Sequence, residues 1–284
     1  MAAVKYTPPS QLLTPSYFAG TFASLDRLRA FLVLSGYGTI ERNGKKYSLT
    51  KDYMSIPVQA SRKFRVVDLA AKIPNCTTAE LRSLIAKAAT KNTRIHQNIY
   101  QELVHCLAQF ETGSYVASFV HLYRLIEHTA LYLPLVAIVS KGVNNLTFND
   151  YKEVIDNKAK ADLSVLKKFS ANILSSALGD STVSYSFAAT SKPQQNKIVA
   201  IAQFDSSQIS NAGPDFFEIK LKDTDRLIVN FRNQFFHYLY HEKNISLQNL
   251  EDPDEFLSIC MPNFLNYFAI LYRELLIAEW ELWA

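Results

Sequence analysis

The sequence predicts a mainly α-helical protein with a small β-containing unit at its amino terminus. Three observations lead there. Apolar residues keep a helical period from residue 78 to 140, an Asn43-Gly44 pair sits between alternating residues, and Asp252-Pro253-Asp254-Glu255 opens a long apolar carboxy-terminal run. Of the 284 residues, 48% are hydrophobic and 20% charged, which supplies a core and is too little charge for a disordered chain. The length suits one large domain, or a small domain in front of a helical one.

Taken in order, the first twenty or so residues carry Pro8, Pro9 and Pro15 among Ser and Thr and read as an extended arm. Phe31-Leu32-Val33-Leu34 and Thr39-Ile40-Glu41-Arg42 lead to Asn43-Gly44, followed by Lys45 to Leu49. Both central residues of a tight hairpin turn need positive φ, so Asn-Gly marks a hairpin here. Residues 55–58 and 64–67 offer further strands, completing a unit over 1–72. A helical domain over 73–284 begins after Pro74, where Thr77 and Glu80 have capping-box spacing. Helices are expected at 78–91, 93–111 and 114–140, broken by Thr90 to Asn92 and by Thr112-Gly113, with weaker ones at 147–158 and 160–178. Residues 179–213, rich in Ser, Gln, Asn and Ala, read as a long loop with a short strand or two; such loops are usually functional or mobile. A helix follows from about 223 to 241. The last begins where Asp252 caps, Pro253 takes the first helical position and Glu255 reaches back. No internal repeat is present.

Composition excludes several classes. Cys76, Cys106 and Cys260 are odd in number, far apart and in no metal-type cluster, which predicts reduced thiols in a cytoplasmic setting. The start, MAAVKYTPPS, has no apolar core of signal-peptide length. Ala130 to Val139 is about half of a membrane-spanning helix and contains Pro134, and Arg273, Glu274, Glu279 and Glu281 interrupt the run from Phe264 to Ala284. No membrane contact is expected. With eight glycines and no glycine-rich loop, Rossmann and P-loop readings fail, and Gly113-Ser114-Tyr115 lacks the flanks of a nucleophile elbow. The net charge of +4 is mild, but residues 26–65 hold nine Lys or Arg against three Asp or Glu. That segment is either a phosphate-backbone surface, with Arg42, Lys45 and Lys46 as its RNA-binding residues, or a solvated basic hairpin.

The chemistry concentrates between Arg226 and His241. At 100° per residue, Ile228, Phe231, Phe235 and Leu239 form a buried stripe, while Arg226, Asn230, Asn233, His237 and His241 line another face. Amides and imidazoles differ from the Lys/Glu mixture of a solvated face and mark a site. His237 and His241 have i, i+4 spacing, but no Glu follows the first His and no third ligand is evident, so neither metal nor cofactor is expected.

Arg232-Asn233-Gln234-Phe235-Phe236-His237 resembles the signature of the HEPN superfamily (higher eukaryotes and prokaryotes nucleotide-binding): Arg, four to six residues, then His, often with Asn, Asp or His straight after the Arg. Gly113 to Leu133, with Leu122-Tyr-Arg-Leu-Ile-Glu-His128, is similar to the first long helix of HEPN domains in bacterial defence proteins. The resemblance covers roughly the last two-thirds of the chain. It implies an up-and-down helical bundle of HEPN type and a metal-independent endoribonuclease, a toxin or antiviral defence effector. Its implied partners are RNA, a second copy of the chain in a homodimer, and a partner protein or antitoxin. Two Arg/His pairs would face each other across the dimer cleft, with Arg232 and His237 catalytic. In that role His237 exchanges protons near neutrality and Arg232 offers a forked donor to phosphate oxygens. Asn233, one turn before His237, orients the imidazole or the substrate, and His241 supports the site.

On the earlier helix His121, Arg124 and His128 share a face, with Glu127 beside Arg124. Arg124 or Glu127 braces the site if that face meets the Arg232 helix; otherwise they form a surface or interhelical ion pair. On an unbroken helix positions five apart diverge by about 140°. Arg232 and His237 therefore need a helix end or kink near Phe236, an arginine that reaches round, or completion across the dimer. In one HEPN subgroup a modifiable Tyr stands two places after the His; here Leu239 occupies that place, between Tyr238 and Tyr240, so silencing by tyrosine modification is not expected. The competing reading is a non-catalytic helical subunit on a HEPN-like scaffold that binds RNA or a protein. Tyr267, Phe268, Tyr272, Trp280 and Trp283 would then suit a dimer or partner contact, unless they are core.

Overall fold

The hairpin forms where Asn43-Gly44 places it. In a computed structural model, which describes residues 4–10, 25–88, 91–141, 170, 173–186, 208–213, 216–236 and 253–282, β2 (Thr39–Arg42) and β3 (Lys45–Ser48) pair antiparallel, Arg42 opposite Lys45. Asn43 and Gly44 take φ of 52° and 76°, the positive values that a type I′ turn demands. β1 (Val4–Thr7) adds to the free edge of β2, Tyr6 opposite Ile40. Phe31 to Leu34 are helical rather than extended: α1 (Asp26–Leu34) buries Leu28 and everything from Ala30 to Leu34. A short continuous apolar run fits a buried helix as well as a strand, so periodicity does not separate them. After the hairpin, β4 (Lys51–Asp52) pairs with β5 (Gln59–Ala60), and the stretch expected to form a strand at 64–67 instead enters α2 (Val66–Ala70).

The helices α3 (Thr78–Ala88), α4 (Thr93–Glu111) and α5 (Tyr115–Lys141) follow the predicted pattern. Thr77 and Glu80 form the capping box: the Thr77 N–H donates to the Glu80 carboxylate at 2.7 Å and the Glu80 N–H donates to Thr77 Oγ1 at 3.2 Å. The helix expected at 147–158 lies outside the described residues. Of 160–178 only the end is described, where Ser175 Oγ caps α6 (Ser176–Gly179). The polar stretch at 179–213 contributes β6 (Thr182–Ser186) and β7 (Ile209–Ala212), and β8 (Phe216–Lys220) lies between them, antiparallel to both. Val183 and Tyr185 of β6 and Phe217 and Ile219 of β8 alternate inward. A 3-10 turn at Leu221–Asp223 leads into α7 (Thr224–Phe236), and α8 (Pro253–Glu281) is the last element. The expected continuation of α7 to 241 and the Asp252 cap lie outside the described residues.

Contacts fix the helix directions. Cys106 meets Ser118 and Asn92 meets Tyr132, so α4 and α5 are antiparallel. Asp254 accepts the Val116 N–H at 2.8 Å, Phe264 lies near Phe119, and Tyr132 donates to Glu279, so α8 runs the same way as α5. Phe231 stacks on Phe256 at 5.2 Å while Asp225, near the start of α7, acts on Tyr267, which sets α7 against α8. The four long helices therefore alternate in direction. α5 and α8, apolar around most of their circumference, are central, with α1 packed on α4 and β6 on α8. Tyr267, Phe268 and Tyr272 are core residues, and Trp280 packs against the core; Trp283 lies outside the described residues.

One hydrophobic cluster runs from Leu28, Phe31 and Ile40 to Leu103, Phe264 and Leu276, so the front and the helices share a core. Asn266 of α8 adds a polar tie, donating to the carbonyls of Tyr53 and Ser55 at 2.6 and 2.9 Å. Cys76, Cys106 and Cys260 are free thiols, and among the described residues no helix is long and apolar enough to cross a membrane.

Phe119, 0% exposed, joins α5 to α7 and α8 through Phe231 at 4.8 Å and Phe264 at 5.9 Å. Phe119→Ala is expected to destabilise the protein by about 3–5 kcal/mol, measured by urea unfolding. A loss well under about 1 kcal/mol would show that the three helices do not share this packing.

Candidate functional site

α7 buries Ile228 and Phe231 and turns Arg232 and Asn233 outward. The half-buried Arg232 lies over the Tyr123 ring of α5, its guanidinium carbon 4.8 Å from the centroid, a cation–π arrangement. Its Nη1 donates to Asn233 Oδ1 at 3.1 Å, so Asn233 here orients the arginine. No carboxylate pairs with Arg232 among the described residues. Farther back on α7, Arg226 donates to Gln208 at 2.6 Å. His237 and His241 lie outside the described residues, as does the geometry between Arg232 and His237.

The α5 helix carries two polar surfaces side by side. Glu127 stands one turn beyond Tyr123 on the face that Arg232 covers, half-buried and without a hydrogen-bond or ion-pair partner among the described residues. Arg124 turns toward α4 and pairs with Glu102 at 3.5 Å. The other Glu102 oxygen lies 2.7 Å from His121 Nδ1, and His121 stacks on His105 with ring centroids 5.3 Å apart. Burial, then the charges of His121 and Arg42, lower the pKa of His105 and favour its neutral form. Arg42 reaches this cluster from the hairpin and donates to Gln109 at 2.5 Å and Thr112 at 3.4 Å. Lys45 and Lys46 stand exposed near the turn, Lys45 over Tyr47. The basic excess of residues 26–65 is thus dispersed: Arg29 pairs with Asp26, Arg65 with Asp68, and Arg27 enters the interior. Sequence reasoning found His121 and Arg124 and missed Glu102 and His105. Their signal was the spacing of Glu102, His105 and Gln109 along the polar face of α4.

A second cluster, unseen in the sequence, surrounds Glu279 of α8. Arg27 Nε lies 3.1 Å from Glu279 Oε2 and 3.1 Å from His96 Nε2, and Arg27 Nη2 donates to Glu279 Oε1 at 3.3 Å and to the Lys91 carbonyl at 3.2 Å. Tyr132 Oη donates to Glu279 Oε1, and Asn92 Nδ2 donates to the same oxygen at 3.3 Å. His96 Nε2 lies 3.1 Å from Arg27 Nε and 3.3 Å from Glu279 Oε1, and Nδ1 lies 2.9 Å from Tyr272 Oη. Burial lowers the His96 pKa. Burial raises the Glu279 carboxyl, but hydrogen bonds and the positive charge beside it outweigh that and leave it below its usual value. The Glu279 side chain is 1% exposed and that of His96 2%, too deep for a substrate, so this network is structural.

Among the described residues no three His, Cys, Asp or Glu converge to hold a metal ion. Comparison of the chain with protein-family models, curated proteins and solved structures gives no match.

Removing one partner of a buried ion pair strands the other charge. Glu279→Gln is therefore expected to cost about 3–5 kcal/mol in urea unfolding, and a loss below about 1 kcal/mol would contradict the network. Its pH dependence has a definite sign. With the folded pKa of His96 depressed, the unfolded imidazole, near 6.5, binds its proton first, so stability falls below about pH 6.5. Glu279, also depressed, contributes stability above its unfolded value near 4.3 and loses it as pH falls through the folded value. Denaturation midpoints that rise on acidification from pH 7 to 4 would contradict both assignments.

Proposed function

We propose that this chain is a metal-independent endoribonuclease of HEPN type, a toxin or antiviral defence effector that acts as a homodimer. The observation that carries the reading is Arg232: a half-buried guanidinium propped on the Tyr123 ring with no carboxylate partner among the described residues. A structural arginine at this depth is normally ion-paired, whereas this one offers donors to an external anion. The alternating directions of α4, α5, α7 and α8 suit an up-and-down bundle, and the motif spacing adds the resemblance.

The chemistry needs one group to take the proton from the ribose 2′-hydroxyl and another to protonate the leaving 5′-oxygen. As the 2′-oxygen bonds to phosphorus, the P–O5′ bond breaks, giving a 2′,3′-cyclic phosphate and a 5′-hydroxyl. One chain supplies one His237, so a two-fold pair supplies the base and the acid. The two Arg232 guanidinium groups stabilise charge on the phosphoryl oxygens. Glu127, on the face that holds Tyr123, is placed to position Arg232 or its substrate.

The alternative is a non-catalytic RNA- or protein-binding subunit. Purified protein incubated with total cellular RNA separates the two. Cleavage is expected, unchanged in EDTA, and reduced about 10²-fold or more in Arg232→Ala and in His237→Ala with circular dichroism unaltered. If both variants cleave like the parent, the enzyme assignment is wrong. Loss in EDTA with recovery on adding a divalent ion would make the protein a metallonuclease, and RNA binding without any cleavage would favour the alternative.

A further inference from the structure

An open concavity of about 340 Å³ lies away from Arg232, where β4, β5 and α2 meet α8; Tyr37, Asp52, Ser55, Arg62, Lys72 and Arg273 are among its walls. Its acids are already occupied. Asp52 Oδ1 accepts the Met54 N–H at 3.1 Å, and Oδ2 accepts Ser55 Oγ at 2.8 Å and Lys72 Nζ at 2.5 Å. Both oxygens of Asp68 accept from Arg65 at 2.7 Å, and Glu274 accepts from Arg273 Nε at 2.9 Å.

The cations keep donors in reserve. Lys72 gives one of its three N–H groups to Asp52. Arg273 Nη1 makes only a 3.5 Å contact with the Met54 carbonyl. Arg62, exposed at the rim, has no hydrogen-bond or ion-pair partner among the described residues. Counting the walls and their pairing groups, Arg62, Arg65, Lys72 and Arg273 face Asp52, Asp68 and Glu274, an excess of one positive charge.

We propose that this concavity binds a small phosphorylated molecule, about the size of a nucleoside monophosphate, with Arg62, Lys72 and Arg273 donating to its phosphate. The volume lies at the lower end of small-molecule sites, which run from about 300 to 1,000 Å³. The Arg62 fork, the Nη1 group of Arg273, whose Nε and Nη2 already serve Glu274, and the Lys72 ammonium offer donors to the three terminal oxygens of a phosphate monoester, against two in a carboxylate. The occupied acids leave nothing to repel that anion at close range except through charges already neutralised by Lys72, Arg65 and Arg273. A bound ligand would bridge the front of the chain and α8, and so raise the stability of the whole fold.

The test is calorimetric titration of the full chain with inorganic phosphate, AMP and malate, together with thermal unfolding. AMP is expected to bind and to raise the unfolding temperature with concentration, phosphate to bind more weakly, and malate least. Arg62→Ala, at an exposed position that leaves the fold intact, should weaken AMP about tenfold, and Arg62→Glu more. Both Arg62 variants should cleave RNA like the parent, so this site and the ribonuclease reading fail separately. No binding of AMP or phosphate up to about 10 mM, AMP binding unchanged in both Arg62 variants, or malate binding as tightly as AMP would each overturn the proposal.

Discussion

Glu279 lies 1% exposed near the end of α8, where burial alone would favour its neutral acid. It stays ionised because donors arrive from α1 (Arg27), from Asn92 ahead of α4 and from α5 (Tyr132), while His96 of α4 shares Arg27 with it. The farthest of these, Arg27, is 252 residues away along the chain. α5 and α8 are apolar around most of their circumference, so hydrophobic packing alone constrains their rotation weakly. A single buried carboxylate with one acceptable set of partners removes that freedom, because any other rotation buries a charge unpaired.

Once α5 is fixed in rotation, so are both polar surfaces that it carries. His121 and Arg124 meet Glu102 on one side, and Tyr123 presents its ring to Arg232 on the other. Beneath Arg232, the Phe119, Phe231 and Phe256 rings hold α7 in place. The arginine therefore stands on packed helices, the kind of support that holds a side chain within a few tenths of an ångström.

Much of the fold was legible because its signals are local. The 93–111 and 115–141 helices carry their own period and are separated by Thr112 and Gly113, the latter at φ 76°. The hairpin and the capping box each rest on two residues close in sequence. What escaped depends on meetings between distant residues. Glu279 reads in the sequence as a charge interrupting an apolar run, and nothing near it announces Arg27 or His96. The walls formed by Lys72 and Arg273 are likewise joined only by folding. Phe31 to Leu34 misled because four consecutive apolar residues have no period. Within the candidate site, Arg232 was legible from its motif and its seat on Tyr123 was not, since sequence fixes spacing along one helix but not which face of another it will meet.

The strand order of the third sheet ties it to α7. β6 and β7 make no ladder with each other; both lean on β8, which comes last in the chain. β8 is a keystone: among the described residues, each of its two flanking strands pairs with it alone. Because β8 passes into α7 through just the turn at Leu221–Asp223, the sheet and the helix that carries Arg232 to its aromatic seat are tethered with almost no slack.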